Sequence, residues 1–168
     1  MNILVTGSSG FIGKALINDL LNKKYNILGL SKKSQTLNHK NLFCDLNHIY
    51  EKKEIIKKFN PEVIFHFAWH GIPVFSKENC LININNSRKL IRVLSELKTV
   101  KKIIITGSCL EYKLKLGECS EDSTIDKENY FPKAKNDIYE SFKKFAKEKN
   151  FYLYWLRLFY VYGKGQRD

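Results

Sequence analysis

Tyr139-Glu140-Ser141-Phe142-Lys143 sets a phenol and an ammonium four residues apart, and on a helix such positions stand one above the other on a shared face. An ammonium beside a phenol favours the phenolate and draws its pKa down from about 10, which makes Tyr139 a usable general acid or base. Ser108 closes the apolar run Ile103-Ile104-Ile105-Thr106-Gly107 and offers a hydroxyl to hold a reacting oxygen. Taken alone, the Tyr-Lys spacing equally describes a core aromatic beside a surface lysine. The serine and a glycine motif upstream turn it toward catalysis.

That glycine motif opens the chain, where Ile3-Leu4-Val5 runs into Thr6-Gly7-Ser8-Ser9-Gly10-Phe11-Ile12-Gly13. Gly7 gives the turn out of a strand, Gly10 lets backbone amides approach an anion, and Gly13 lets the next helix lie close on the sheet. The unpaired N–H groups of the first helical turn, with the positive end of the dipole, then bind a dinucleotide pyrophosphate. Ser9, Phe11 and Ile12 belong to the same candidate cofactor-binding turn.

Further candidates sit where other apolar runs end. The Asp45 carboxylate, followed by Leu46, could accept an adenine amino group, and an N-cap role for Asp45 is equally open. In His66-Phe67-Ala68-Trp69 the small Ala68 leaves room for a cofactor between Phe67 and Trp69. His66 reads as a packed strand residue, since no acidic partner is near it in sequence.

Positioning these groups requires alternating strands and helices. Strands are expected at 3–5, 25–30, 41–44, 62–67, 102–106 and 151–158. Helices are expected after Gly13 and over 49–59, 77–97 and 138–149, with a loop-rich stretch up to Asp137. Nearly continuous apolar strands alternating with helices predict an α/β fold: a doubly wound parallel sheet with helices on both faces and the ligand crevice at the carboxyl ends of the strands.

Bulk properties fit one domain across the 168 residues, with 43% hydrophobic residues to bury a core. The net charge of +12 comes almost entirely from lysine, the four arginines being Arg88, Arg92, Arg157 and Arg167. Such lysines read as a solvated face, and nucleic-acid binding is not expected. Cys44, Cys80, Cys109 and Cys119 show no paired or zinc-ligand spacing, which implies reduced thiols. No metal site is expected, nor a signal peptide or membrane span, so the expected location is the cytoplasm.

In order along the chain, T-G-x-x-G-x-x-G at 6–13, Asp45-Leu46, His66-x-Ala68, the segment 83–90, Ser108 four residues before Tyr112, Tyr139-x-x-x-Lys143, and the run from Arg157 to Gln166 through Lys164 resemble one family. It is the extended short-chain dehydrogenases/reductases that act on nucleotide sugars as epimerases, dehydratases and reductases, with a Rossmann-like fold, so the resemblance implies a nucleotide-sugar epimerase or reductase. The resemblance implies Tyr139 as acid/base, Ser108 orienting the reacting oxygen, and Lys143 lowering the tyrosine pKa while bonding the nicotinamide ribose. It adds Thr106 and Tyr160 to the cofactor-binding set and implies hydride transfer between nicotinamide C4 and a sugar carbon.

Departures from the family pattern refine the expectation. Cys109-Leu110 stand where 4,6-dehydratases carry an Asp-Glu pair, which argues against dehydration. Ser31, with Lys32 and Lys33 behind it, replaces the acidic residue that binds the adenosine ribose. A hydroxyl and two ammonium groups attract a 2′-phosphate, so NADP(H) is expected over NAD(H), as suits a 4-keto-sugar reductase. Family members are about twice as long, and the C-terminal lobe that grips the nucleotide sugar is expected to be missing here. The alternative is therefore a cofactor-binding module or remnant without turnover. The resemblance also implies a homodimer through helices 77–97 and 138–149, unless Leu90, Leu94 and Leu97 simply cover the sheet. Exposure of Phe159, Tyr160 and Val161 makes aggregation a competing outcome.

Overall fold

The computed structural model describes residues 1–33, 39–113, 118–163 and 165–166; Lys164 and Arg167 lie outside them. Six apolar segments form strands β1 (Asn2–Thr6), β2 (Asn26–Ser31), β3 (Lys40–Phe43), β4 (Val63–His66), β5 (Lys102–Ser108) and β6 (Tyr152–Leu158). All pair in parallel in the order β3-β2-β1-β4-β5-β6. Strand order reverses between β1 and β4, and at such a switch point the connecting loops diverge and leave a crevice at the carboxyl ends.

Alternation along the strands sorts side chains between two layers. Ile3, Val5, Ile27 and Val63 face helix α1 (Phe11–Asn22) through its Ile17 and Leu20. Leu4, Leu28, Ile64, Ile103 and Ile105 face the opposite layer, built from α2 (Lys53–Phe59), α3 (Lys77–Leu94) and α4 (Tyr130–Lys149). Burying each such Leu or Ile contributes about 1.5–3 kcal/mol relative to leaving it exposed. Leu90, Leu94 and Leu97 belong to this core, so they cover the sheet.

Two elements differ from the sequence expectation. The segment expected as a helix over 49–59 begins as a 3-10 helix, Leu46–Lys52, before becoming α2. Helix α4 begins at Tyr130, eight residues before the expected start at Ile138. Pro132 reads in sequence as a breaker, but it falls in the first turn, where its missing N–H would have no intrahelical partner anyway.

Candidate functional site

The turn from β1 to α1 forms one wall of the crevice. Gly7 has φ +73°, and a Cβ there would lie 2.8 Å from the Ala68 amide nitrogen, so the position takes only glycine without strain. Gly13 abuts the Gly7 carbonyl, which brings the first turn of α1 hard against the loop. The Gly7 and Ser8 N–H groups donate to the Leu30 carbonyl and fix the turn to β2. Gly10 caps α1 without a side-chain hydrogen bond, and the first turn carries no acidic residue. Its N–H donors and the positive dipole end therefore remain available to an anion.

The crevice encloses about 520 Å³, within the range of small-molecule sites. Gly7, Ser9, Gly10, Phe11, Ile12 and Gly13 line it on one side, Ser31, Lys32 and Leu46 at one end, and Phe67, Ala68 and Trp69 on the other side. These twelve expected cofactor residues are thus brought together. Two crevice-lining groups are buried with no hydrogen-bond partner among the described residues: the Asn86 Oδ1 acceptor and the Trp69 Nε1 donor. Orphaned polar atoms beside a glycine cradle are what a polar ligand would satisfy, so the site fits a dinucleotide.

At the β2–β3 end, Ser31 and Lys32 are already engaged. Ser31 Oγ donates to the Lys33 carbonyl at 2.8 Å. The Lys32 ammonium lies 2.7 Å from Asp45 Oδ2 and 3.3 Å from His70 Nδ1 across the crevice mouth. Asp45 takes the capping role: its Oδ1 accepts from the Asn47 N–H at 2.9 Å and starts the 3-10 helix. Burial raises the Asp45 pKa, but the hydrogen bonds from Lys32 and Asn47 outweigh it and hold the carboxyl below its usual value.

Under the strand ends, His66 is buried, with Nδ1 2.7 Å from Thr6 Oγ1 and Nε2 3.4 Å from Ser87 Oγ. Burial, then the Lys135 charge, push its pKa down to about 3, so the ring is neutral and packed. Asn83 fixes the following loop by accepting from the His70 N–H and donating to the His70 carbonyl.

Tyr139 and Lys143 do share a face, the ammonium lying 5.5 Å from the phenol ring centroid, but the structure does not bring them to the crevice. They line a separate cleft with Glu121, Ala146, Leu153, Trp155 and Arg157, where the Tyr139 ring lies 5.3 Å from Trp155. With α4 running from Tyr130, the lysine that reaches the strand ends is Lys135, two turns earlier. Its buried ammonium donates to the Thr106 carbonyl at 2.7 Å and lies 4.1 Å from the Trp69 ring centroid. Burial pushes its pKa down to about 8 against the opposing pull of the Glu111 carboxylate. Four residues before it stands Phe131, packed edge-to-face with Trp69 and tilted against Phe75. Among the described residues, no tyrosine lines the crevice. An Asn129 cap followed by Pro132 in the first turn is the sequence signal for this earlier helix start.

Ser108 ends β5, and its Oγ accepts from the Leu110 N–H while Glu111 Oε1 accepts from the Ser108 N–H. Glu111 is buried and also accepts from Trp155 Nε1 and Arg157 Nε, a network with no counterpart in the sequence expectation. Neither Ser108 nor Thr106 lines the crevice, and Thr106 contributes its carbonyl to Lys135. Tyr160 is 92% exposed and away from the crevice.

Strand order, glycine turn and uncapped helix N-terminus define a dinucleotide-binding Rossmann-like domain. The chain belongs to the NAD dependent epimerase/dehydratase family, which it matches over residues 3–168. It is 26% identical over 171 residues to a dTDP-6-deoxy-L-talose 4-dehydrogenase (NAD(+)) of Aggregatibacter actinomycetemcomitans, covering 97% of this chain and 62% of that one. It is 28% identical over 181 residues to a dTDP-4-dehydro-6-deoxyglucose reductase of Escherichia coli, covering 98% and 57%. In fold it is similar to the UDP-glucuronic acid 4-epimerase of Bacillus cereus in complex with NAD, with TM-score 0.84, 23% identity, and coverage of 99% and 59%. The chain thus spans about three-fifths of the length of these relatives.

The expectation of NADP(H) is corrected by these comparisons: six similar solved structures are complexes with NAD. The physical reason is the engagement of Ser31 and Lys32, which sequence adjacency left free. Asp45, distant in sequence, pairs with one of the two lysines, Lys32, that were expected to receive a 2′-phosphate.

Proposed function

We propose that this chain binds NAD(H) in the crevice between β1 and β4 and forms the cofactor half of an oxidoreductase or epimerase acting on a nucleotide sugar. The observation that carries this reading is the Gly7–Gly13 contact, which aims the uncapped start of α1 into a crevice with orphaned polar atoms. When bound, NAD(H) supplies or accepts hydride at nicotinamide C4. The α1 turn at Gly10, Phe11, Ile12 and Gly13 holds the pyrophosphate, Leu46 walls the adenine end, and Phe67, Ala68 and Trp69 exclude water along the other wall. The 4-dehydrogenase and 4-keto-sugar reductase relatives support chemistry at a sugar carbon. Pairing of two copies through the exposed sides of α3 and α4 belongs to the same reading, and sedimentation velocity tests it.

Calorimetric titration with NADH and NADPH tests the cofactor site; binding of NADH is expected, and absence of binding to either overturns the proposal. Turnover of dTDP- and UDP-linked sugars tests the substrate class. A second reading, dinucleotide binding without turnover, is favoured by one observation: Phe131, not a tyrosine, precedes Lys135 on the face beneath the strand ends. NADH binding without turnover of any nucleotide sugar would select it.

A further inference from the structure

The crevice mouth carries an arrangement that bears on which dinucleotide enters. Lys32 extends from the end of β2, Asp45 follows β3, and His70 lies on the loop after β4, so one ammonium ties three segments together. Lys32 and His70 both line the crevice. We propose that Asp45, by holding the Lys32 ammonium, sets the preference of this crevice against a dinucleotide bearing a 2′-phosphate. The inference rests on the NAD(H) reading above and assigns its specificity to a positioning residue that acts through Lys32.

Charge placement supports this assignment. A phosphate monoester carries close to two negative charges at neutral pH. At this end of the crevice it would meet an ammonium already paired at 2.7 Å and, next to it, a carboxylate that repels it. The Ser31 hydroxyl donates to the Lys33 carbonyl and accepts from Asn41 Nδ2, so it is not free to compensate. Lys33 also lines the crevice, but like Lys32 it is exposed, so solvent and salt screen its charge. A 2′-hydroxyl carries no charge and meets no such opposition. Asp45 is itself anchored, because its Oδ1 caps the 3-10 helix through the Asn47 N–H.

Substitution can separate charge from cap. Asparagine caps a helix as well as aspartate does, so Asp45→Asn keeps the Asn47 contact and removes only the charge. The full 168-residue chain and its variants are titrated with NADH and NADPH at fixed ionic strength, with thermal melts confirming the fold. In Asp45→Asn, NADPH affinity is expected to rise about tenfold relative to NADH, the scale of one charge acting on a phosphate a few ångströms away. The gain is expected to disappear when Lys32→Ala is added, and Asp45→Glu is expected to keep the original ratio. An unchanged ratio in Asp45→Asn, or a gain that survives Lys32→Ala, overturns the role of Asp45 while NADH binding stays intact. Loss of NADH binding by the unsubstituted chain would overturn the site itself.

Discussion

His66 and Lys135 are buried side chains whose charged forms the fold disfavours, and both make stability rise with pH, each in its own window. The His66 pKa falls from 6.5 to about 3 through burial and then the Lys135 charge. Between those values the unfolded chain binds the extra proton, so stability is full above pH 6.5 and falls as the pH drops toward 3. Urea midpoints should decline across that window, and His66→Gln should flatten the decline. Lys135, lowered from 10.5 to about 8, is mostly neutral in the fold above pH 8 while the unfolded side chain still holds a proton. Its contribution therefore makes stability rise between pH 8 and 10.5, and that rise should vanish in Lys135→Met. At the same scale, Tyr139→Phe should leave NADH affinity unchanged by calorimetry, because the phenol lies in the cleft with Trp155 and Arg157.

Helix α1 and its turn were legible in the sequence because their constraint is a backbone constraint: Gly13 is required by its contact with the Gly7 carbonyl in the turn before it, and Gly7 by its positive φ, although the Ala68 backbone that also crowds Gly7 is distant in sequence. Gly13→Val should press on the Gly7 carbonyl and Ser8, lower stability by about 1–3 kcal/mol, and abolish NADH binding in the same titration. Helix α4 was legible as a helix but not in its start. Tyr139-x-x-x-Lys143 and Phe131-x-x-x-Lys135 share the same spacing, and only packing against Trp69 and the Thr106 carbonyl chooses which pair reaches the strand ends. Asp45 was legible as a cap and not as the partner of Lys32, since that contact joins two strands through their pairing.

At the scale of the molecule, the two sheet faces are unequally covered. Ile104 and its β6 partner Tyr154 lie on the α1 side, but α1 packs over β2, β1 and β4, and Tyr152, Tyr154 and Leu156 stay exposed along the edge of β6, which is unpaired among the described residues. Phe159, Tyr160 and Val161 continue that exposed stretch, as the sequence led one to expect. An edge strand with an apolar flank recruits other chains. Sedimentation velocity should show concentration-dependent association that Tyr154→Lys with Leu156→Lys suppresses, without altering NADH affinity; a clean monomer before substitution would remove this surface as the cause.

The placement of Trp69 has a spectroscopic consequence. The chain holds two tryptophans, and they occupy different environments: the Trp69 indole walls the crevice over Lys135, while Trp155 is tethered to Glu111 beside the second cleft. A reduced nicotinamide absorbs where indoles emit, so a dinucleotide in the crevice should quench the nearer ring more strongly. In Trp155→Phe the emission would come from Trp69 alone, and the chain would become its own optical probe of occupancy.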